Sequence, residues 1–299
     1  MQVRSGTAPS GEIDIHYEDM GDPGDPAVLL IMGLGAQMIF WRTEFCEKLV
    51  NQGLRVVRFD NRDCGLSGKL RGRRARSPLP LSMARSFLGI ASPAPYRLED
   101  MADDTAALAD HLGIERAHVV GASMGGMIAQ VFAARHAERT RSLGVIFSSN
   151  NQSALPPPGP QQLLAILSKP SGTGRDAIID NAVKVSRVIG SPGYPRSDDA
   201  LRADAIEGYD RSYYPAGIGR QFSAILGSGS LRGYNRKTTA PTVVIHGTAD
   251  KLMRPSGGRA IANAIPDARL VLFDGMGHEL PEPLWDDIVG ELKTTFAQG

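Results

Sequence analysis

The stretch 117–136, AHVVGASMGGMIAQVFAARH, decides the fold. Residues 117–121 are a short apolar run of the kind that forms a strand buried on both faces, and 124–136 carry a helical pattern. Gly121-Ala122-Ser123-Met124-Gly125 lies at the junction and matches G-x-S-x-G. A strand that turns sharply into a helix there lifts the serine above the sheet, and the small residues at 121, 125 and 126 let the two backbones approach.

Working outward, 27–32 (AVLLIM) and 54–60 read as two more buried strands, with a helical pattern between them (Phe40, Trp41, Phe45, Leu49, Val50). Strand, helix, strand implies a parallel crossover. The alternation continues through a helix at 98–112 and a strand at 142–148. After a long gap it resumes with a strand at 241–246, a helix near 259–264, a strand at 270–273 and a closing helix at 283–296. Residues 13–17 alternate as an edge strand should, and GDPGDP behind them is turn chemistry. The gap opens with LPPPGP at 155–160, which can neither continue a helix nor enter a central strand. A structureless loop of about 80 residues is improbable, so an inserted subdomain is expected. The predicted fold class is α/β: a doubly wound, mostly parallel sheet whose core, 1–150 and 236–299, is interrupted by a mostly helical lid at 151–235. Within the lid, 163–167 and 177–188 read as short helices.

A serine hydroxyl needs a base, and six histidines compete for that role. His16, His111, His118 and His136 fall on an edge strand, a helix end, a strand start and a helix end. His246 closes a strand on the correct side of the sheet but reads as a structural residue. His278, in FDGMGHELP after the last strand, sits on a Gly-flanked loop able to reach back to Ser123 and is the predicted base. In doubly wound sheets reactive groups gather beyond the carboxyl ends of the strands. Asp250, in HGTADKL directly after a strand, meets that condition, whereas Asp274 lies only just before His278. Oxyanion donors are expected from the backbone N–H of Met124, first in the elbow helix, and of Leu34, in the loop where Gly33 turns the chain.

Composition narrows the partners. With 33 basic and 32 acidic residues the net charge is +1, so no global field gathers nucleic acid or an anionic membrane. The basic run 69–76 (KLRGRRAR) and the apolar stretch after it read as a solvated loop rather than a docking surface. Cys46 and Cys64 belong to no Cys-x-x-Cys or metal-type cluster and are expected as reduced thiols. The histidines show no metal-binding spacing and no dinucleotide loop follows the first strands, so neither metal nor cofactor is expected. No stretch reaches the roughly 18 apolar residues of a membrane span and the N-terminal residues lack an apolar signal region, so a cytoplasmic chain without membrane insertion is expected. A small-molecule ester is the expected partner, and a homodimer stays open.

These motifs together resemble the α/β-hydrolase fold over nearly the whole chain: the elbow GASMGG, HGTAD at 246–250, GMGH at 275–278, and RFDNRDCGLSG at 58–68. Within that superfamily the chain is similar to serine carboxylesterases of the aclacinomycin methylesterase group. The resemblance implies Ser123, Asp250 and His278 as a catalytic triad and Leu34 and Met124 as the oxyanion site. The sequence departs from the common pattern at Met32-Gly33, where His-Gly is usual, and at Cys64, where Gly is usual. An esterase acting on small to medium, largely apolar esters is the expected function. Perhydrolase, iminopeptidase and carbon–carbon bond hydrolase activities share such a triad, and a non-enzymatic small-molecule receptor is the remaining alternative. Leu163, Leu164, Ile166, Leu167, Tyr209, Tyr213, Tyr214 and Phe222 are expected to roof an apolar acyl pocket, with 34–41 as its opposite wall.

Overall fold

The computed structural model describes residues 2–73 and 78–299. Its centre is an eight-stranded sheet formed by β1 (Val3–Ser10), β2 (Ile13–Met20), β3 (Ala27–Ile31), β4 (Arg55–Phe59), β5 (Ala117–Ala122), β6 (Thr140–Ile146), β7 (Thr242–Gly247) and β8 (Arg269–Phe273). The order across the sheet is β1-β2-β4-β3-β5-β6-β7-β8. β1 and β2 pair antiparallel, β2 joins β4 antiparallel, and every later pairing is parallel. β3, β4, β5 and β7 are buried at every position, as strands covered by helices on both faces must be.

Two apolar cores fill the two faces. Helices Leu98–His111 and Met124–Arg135 supply Leu98, Met101, Ile128 and Phe132 to one. Helices Thr43–Val50 and Trp285–Phe296 supply Phe45, Leu49, Ile288 and Leu292 to the other. Burial pushes both cysteine thiols, Cys46 and Cys64, up to about 12, which keeps them protonated and unreactive near neutral pH.

Three expectations need correction. The segment 13–17 is not the edge: β2 runs on to Met20 and is covered by β1. Gly33 opens the turn after β3, but the residue that takes the left-handed conformation there is Gly35, with φ 67°. The stretch after the basic run is not a solvated loop, because residues Leu79–Phe87 form a helix with proline in its first turn. Within the run itself, Lys69 donates to the carbonyls of Cys64 (2.9 Å) and Gly65 (2.7 Å), and Arg73 pairs with Glu12. Positions 74–76 of that run lie outside the described residues.

Between β6 and β7 the chain forms five helices: Pro160–Ile166, Arg175–Ile189, Asp198–Arg211, Pro215–Ser228 and Arg232–Asn235. Their own core is a small cluster around Ile179, Val183 and Leu201. Two buried ion pairs tie the segment to the sheet. Arg211 meets Asp60 at 2.8 Å, and Arg220 spans both carboxylate oxygens of Asp63 at 2.7 and 2.8 Å. Among the described residues no helix is long and apolar enough to cross a membrane.

Candidate active site

β3 and β5 lie side by side, and the chain leaves them toward opposite edges of the sheet, so a crevice opens beyond their carboxyl ends. Ser123 sits in that crevice with φ 56° and ψ −120°, a region costing about 1–3 kcal/mol for a residue with a Cβ. Close packing holds it there. A Cβ on Gly121 would lie 2.1 Å from the Gly125 carbonyl oxygen, and one on Gly125 would lie 2.0 Å from that of Ile31. The glycines at 121 and 125 are therefore required by backbone contact. The Ser123 N–H donates to the Ile146 carbonyl at 3.0 Å and its carbonyl accepts from the Ser148 hydroxyl at 2.6 Å, which completes the elbow.

The structure brings Ser123, His278 and Asp250 together. His278 Nε2 is 2.9 Å from Ser123 Oγ, and Nδ1 is 2.8 Å from Asp250 Oδ2. An ionised carboxylate only accepts, so the ring proton belongs on Nδ1 and Nε2 faces the serine hydroxyl as an acceptor. Asp250 Oδ1 takes the N–H groups of Leu252 and Met253, each at 2.9 Å, which fixes the rotation of the carboxylate. Burial alone would raise the Asp250 carboxyl, but the neighbouring His278 and His246 outweigh it and hold the carboxyl well below the usual carboxylate range. The loop bearing His278 is pinned from across the crevice. Its backbone N–H donates to Ile189 O at 2.8 Å, and the Gly277 N–H donates to Ser191 Oγ at 2.9 Å.

His246 is fully buried and does not reach the serine. Its Nε2 donates to the Met253 carbonyl at 2.5 Å and lies 3.6 Å from Asp250 Oδ2, while its Nδ1 has no partner among the described residues. It props up the turn that carries Asp250. His246→Ala should therefore cost about 2 kcal/mol or more of stability, as large-to-small core changes do. Its kcat should stay within about tenfold of wild type, since no proton passes through it. Urea unfolding beside steady-state kinetics checks this; an activity loss as large as that of His278→Ala in a folded protein would make His246 the base. His118, by contrast, is buried against Phe296 and Ser142, and burial lowers it to about 4.

Leu34 and Met124 flank the serine. Met124 opens its helix, so its N–H has no acceptor within the helix, and Leu34 lies in the turn beside Ser123. A Cβ on Gly33 would come within 3.1 Å of Ser123 Cβ, which shows how closely that turn approaches the serine.

A cavity of about 1370 Å³ opens over Ser123 and His278. Leu163, Ile166, Leu167 and Phe222 line it from above, with Leu34, Ala36 and Phe40 on the opposite wall. Leu164 is 71% exposed instead. Tyr209 packs against Tyr213 with the rings tilted, and Tyr214 holds Arg220, so these tyrosines support the helices rather than the pocket. Met83 and Phe87, on the helix that the sequence reading missed, form a further wall.

The family model for the alpha/beta hydrolase fold matches residues 26–282. The chain belongs to that family. Rhodomycin D methylesterase DnrP of Streptomyces peucetius is 29% identical over 303 residues, covering 91% of this chain and 93% of that protein. A 2-hydroxy-6-oxononadienedioate/2-hydroxy-6-oxononatrienedioate hydrolase of Cupriavidus pinatubonensis is 27% identical, covering 89% and 85%. Among solved structures, 2-hydroxy-6-oxo-6-phenylhexa-2,4-dienoate hydrolase from Rhodococcus sp. strain RHA1 superposes with a TM-score of 0.77 at 19% identity, covering 99% of each chain. The last likeness bears on the fold of this hydrolase-family chain alone.

Proposed function

We propose that the chain is a serine carboxylesterase. The observation that carries the reading is the unbroken relay of two hydrogen bonds, Ser123 Oγ to His278 Nε2 and His278 Nδ1 to Asp250, at the strained elbow. In this mechanism Ser123 Oγ bonds to the ester carbonyl carbon as its proton passes to His278 Nε2. The negative oxygen that forms is met by the N–H groups of Leu34 and Met124. The carbon–alkoxy bond then breaks, and the leaving alcohol takes the proton from His278. Water enters with the same base, and the serine ester is hydrolysed.

The segment 151–235 serves as the lid, and its apolar side chains select the acyl group. The volume above Ser123 exceeds the 300–1,000 Å³ or so of ordinary ligand sites, so the preferred acids extend beyond short chains to long or bulky apolar ones. The methylesterase relative supports ester chemistry. A carbon–carbon bond hydrolase reading draws on the oxononadienedioate hydrolase relative, whose substrate is a dicarboxylate by name. The arginines lining this cavity, Arg42 and Arg196, are both already paired with Asp204, which favours neutral acids.

A panel of nitrophenyl esters from acetate to decanoate tests this. Activity should rise about fourfold in kcat/KM per methylene until the space is filled, following about 0.8 kcal/mol per buried methylene. Leu163→Trp should move the optimum to a shorter acid. Turnover confined to acetate, with the profile of Leu163→Trp unchanged, would mean that these walls do not select the acid.

A further inference from the structure

We propose that Gln221, a lid residue that does not line the cavity, is a positioning residue for the oxyanion site. The proposal rests on the assignment of the Leu34 N–H as an oxyanion donor.

The donor belongs to the peptide between Gly33 and Leu34, at the start of a β-turn closed by the Ala36 N–H on Gly33 O at 3.2 Å. The third residue of that turn is Gly35 with φ 67°, the left-handed value a type II turn demands. The central peptide of such a turn can rotate, and its N–H is that of Gly35. Gln221 Oε1 accepts that N–H at 2.8 Å. At its other end Gln221 Nε2 donates to the Arg62 carbonyl at 2.8 Å. A backbone N–H on one side and a backbone carbonyl on the other leave the amide a single orientation, and the side chain is fully buried. On the other side of the donor peptide, Asn61 Nδ2 holds the Met32 carbonyl at 2.8 Å. The Leu34 N–H is thus bracketed: Asn61 pins the residue before the turn and Gln221 pins its centre.

The helix carrying Gln221 is itself fixed. One residue away, Arg220 is locked to Asp63, and Ile218 lies against the turn, where a Cβ on Gly35 would meet it at 3.0 Å. The lid therefore contributes to the rate through the backbone, separately from the side chains that contact substrate.

Gln221→Met keeps the length and apolar bulk of the side chain but removes both hydrogen bonds. The expected result is a fall in kcat of about 10- to 100-fold with KM within about twofold, part of the loss seen when an oxyanion donor is removed outright. The inhibition constant of a trifluoromethyl ketone, whose adduct with Ser123 places an oxyanion in the same spot, should rise by a similar factor. Gln221→Glu retains an acceptor for the Gly35 N–H, so it should lose less kcat than the Met variant; it also serves if the Met variant does not fold. A rise in KM at unchanged kcat, unchanged ketone affinity, or equal losses in both variants would overturn the proposal. Replacing the Leu34 amide by an ester linkage deletes the donor itself. A large loss there with none in Gln221→Met overturns the role of Gln221, whereas no loss there overturns the oxyanion assignment on which it rests.

Discussion

Ser123→Ala is expected to remove ester turnover, by about 10⁶-fold in kcat, while the protein stays folded. In the proposed mechanism the loss is near total because the hydroxyl is the group that bonds to the carbonyl carbon, and the hydrogen-bonded His278 has nothing left to deprotonate. The fold should tolerate the change. Among the described residues the Ser123 side chain donates to no group other than His278, and the elbow is held by backbone bonds to Ile146 and Ser148 and by the close packing at Gly121 and Gly125. Alanine inherits the same positive φ, so the strain is unchanged. A fluorophosphonate should label wild type at Ser123 alone and leave the variant unlabelled. Turnover within about a hundredfold of wild type in the purified variant, or a label on another serine, would show that the nucleophile lies elsewhere.

What could be read from the residues alone followed how strongly burial writes itself into sequence. β3, β4, β5 and β7 are buried on both faces and stand out as apolar runs, and the loops beyond β5, β7 and β8 carry the three residues that meet. β1 was not legible, because VRSGTAPS buries only Ala8 and its identity as a strand comes from pairing with β2. The helix Asp198–Arg211, between β6 and β7, buries only Leu201, so its apolar period is too thin to notice. Pro80 hid the helix Leu79–Phe87, although proline in the first turn loses no hydrogen bond and favours a helix start. That omission removed Met83 and Phe87 from the expected pocket. Gln221 carries no sequence signal at all: its two partners, Gly35 and Arg62, are distant in the chain and become its neighbours only in the folded protein.

Asp250→Asn should lower kcat by about 10⁴-fold with little change in structure. The direction follows from the hydrogen bonds. Oδ1 accepts two backbone N–H groups, from Leu252 and Met253, so in asparagine that position must be the carbonyl oxygen. The amide NH₂ is then forced toward His278 Nδ1 and donates to it. This puts the ring proton on Nε2, the atom that receives the proton of Ser123 in the proposed mechanism. The base is present but in the wrong tautomer. Stability should report the same carboxylate. His278 and His246 outweigh burial and depress Asp250 in the folded chain below the value of about 4 for an unfolded aspartate. A depressed carboxylate stabilises the fold above its unfolded value, and that contribution is lost as pH falls through the lower folded value. The stability gap between wild type and Asp250→Asn, measured by urea unfolding, should thus be wider at pH 7 than at pH 3, with pH itself as the only variable. Near-wild-type kcat in the folded variant would remove Asp250 from the relay, and a gap that does not narrow on acidification would show that its charge is not what the histidines hold in place.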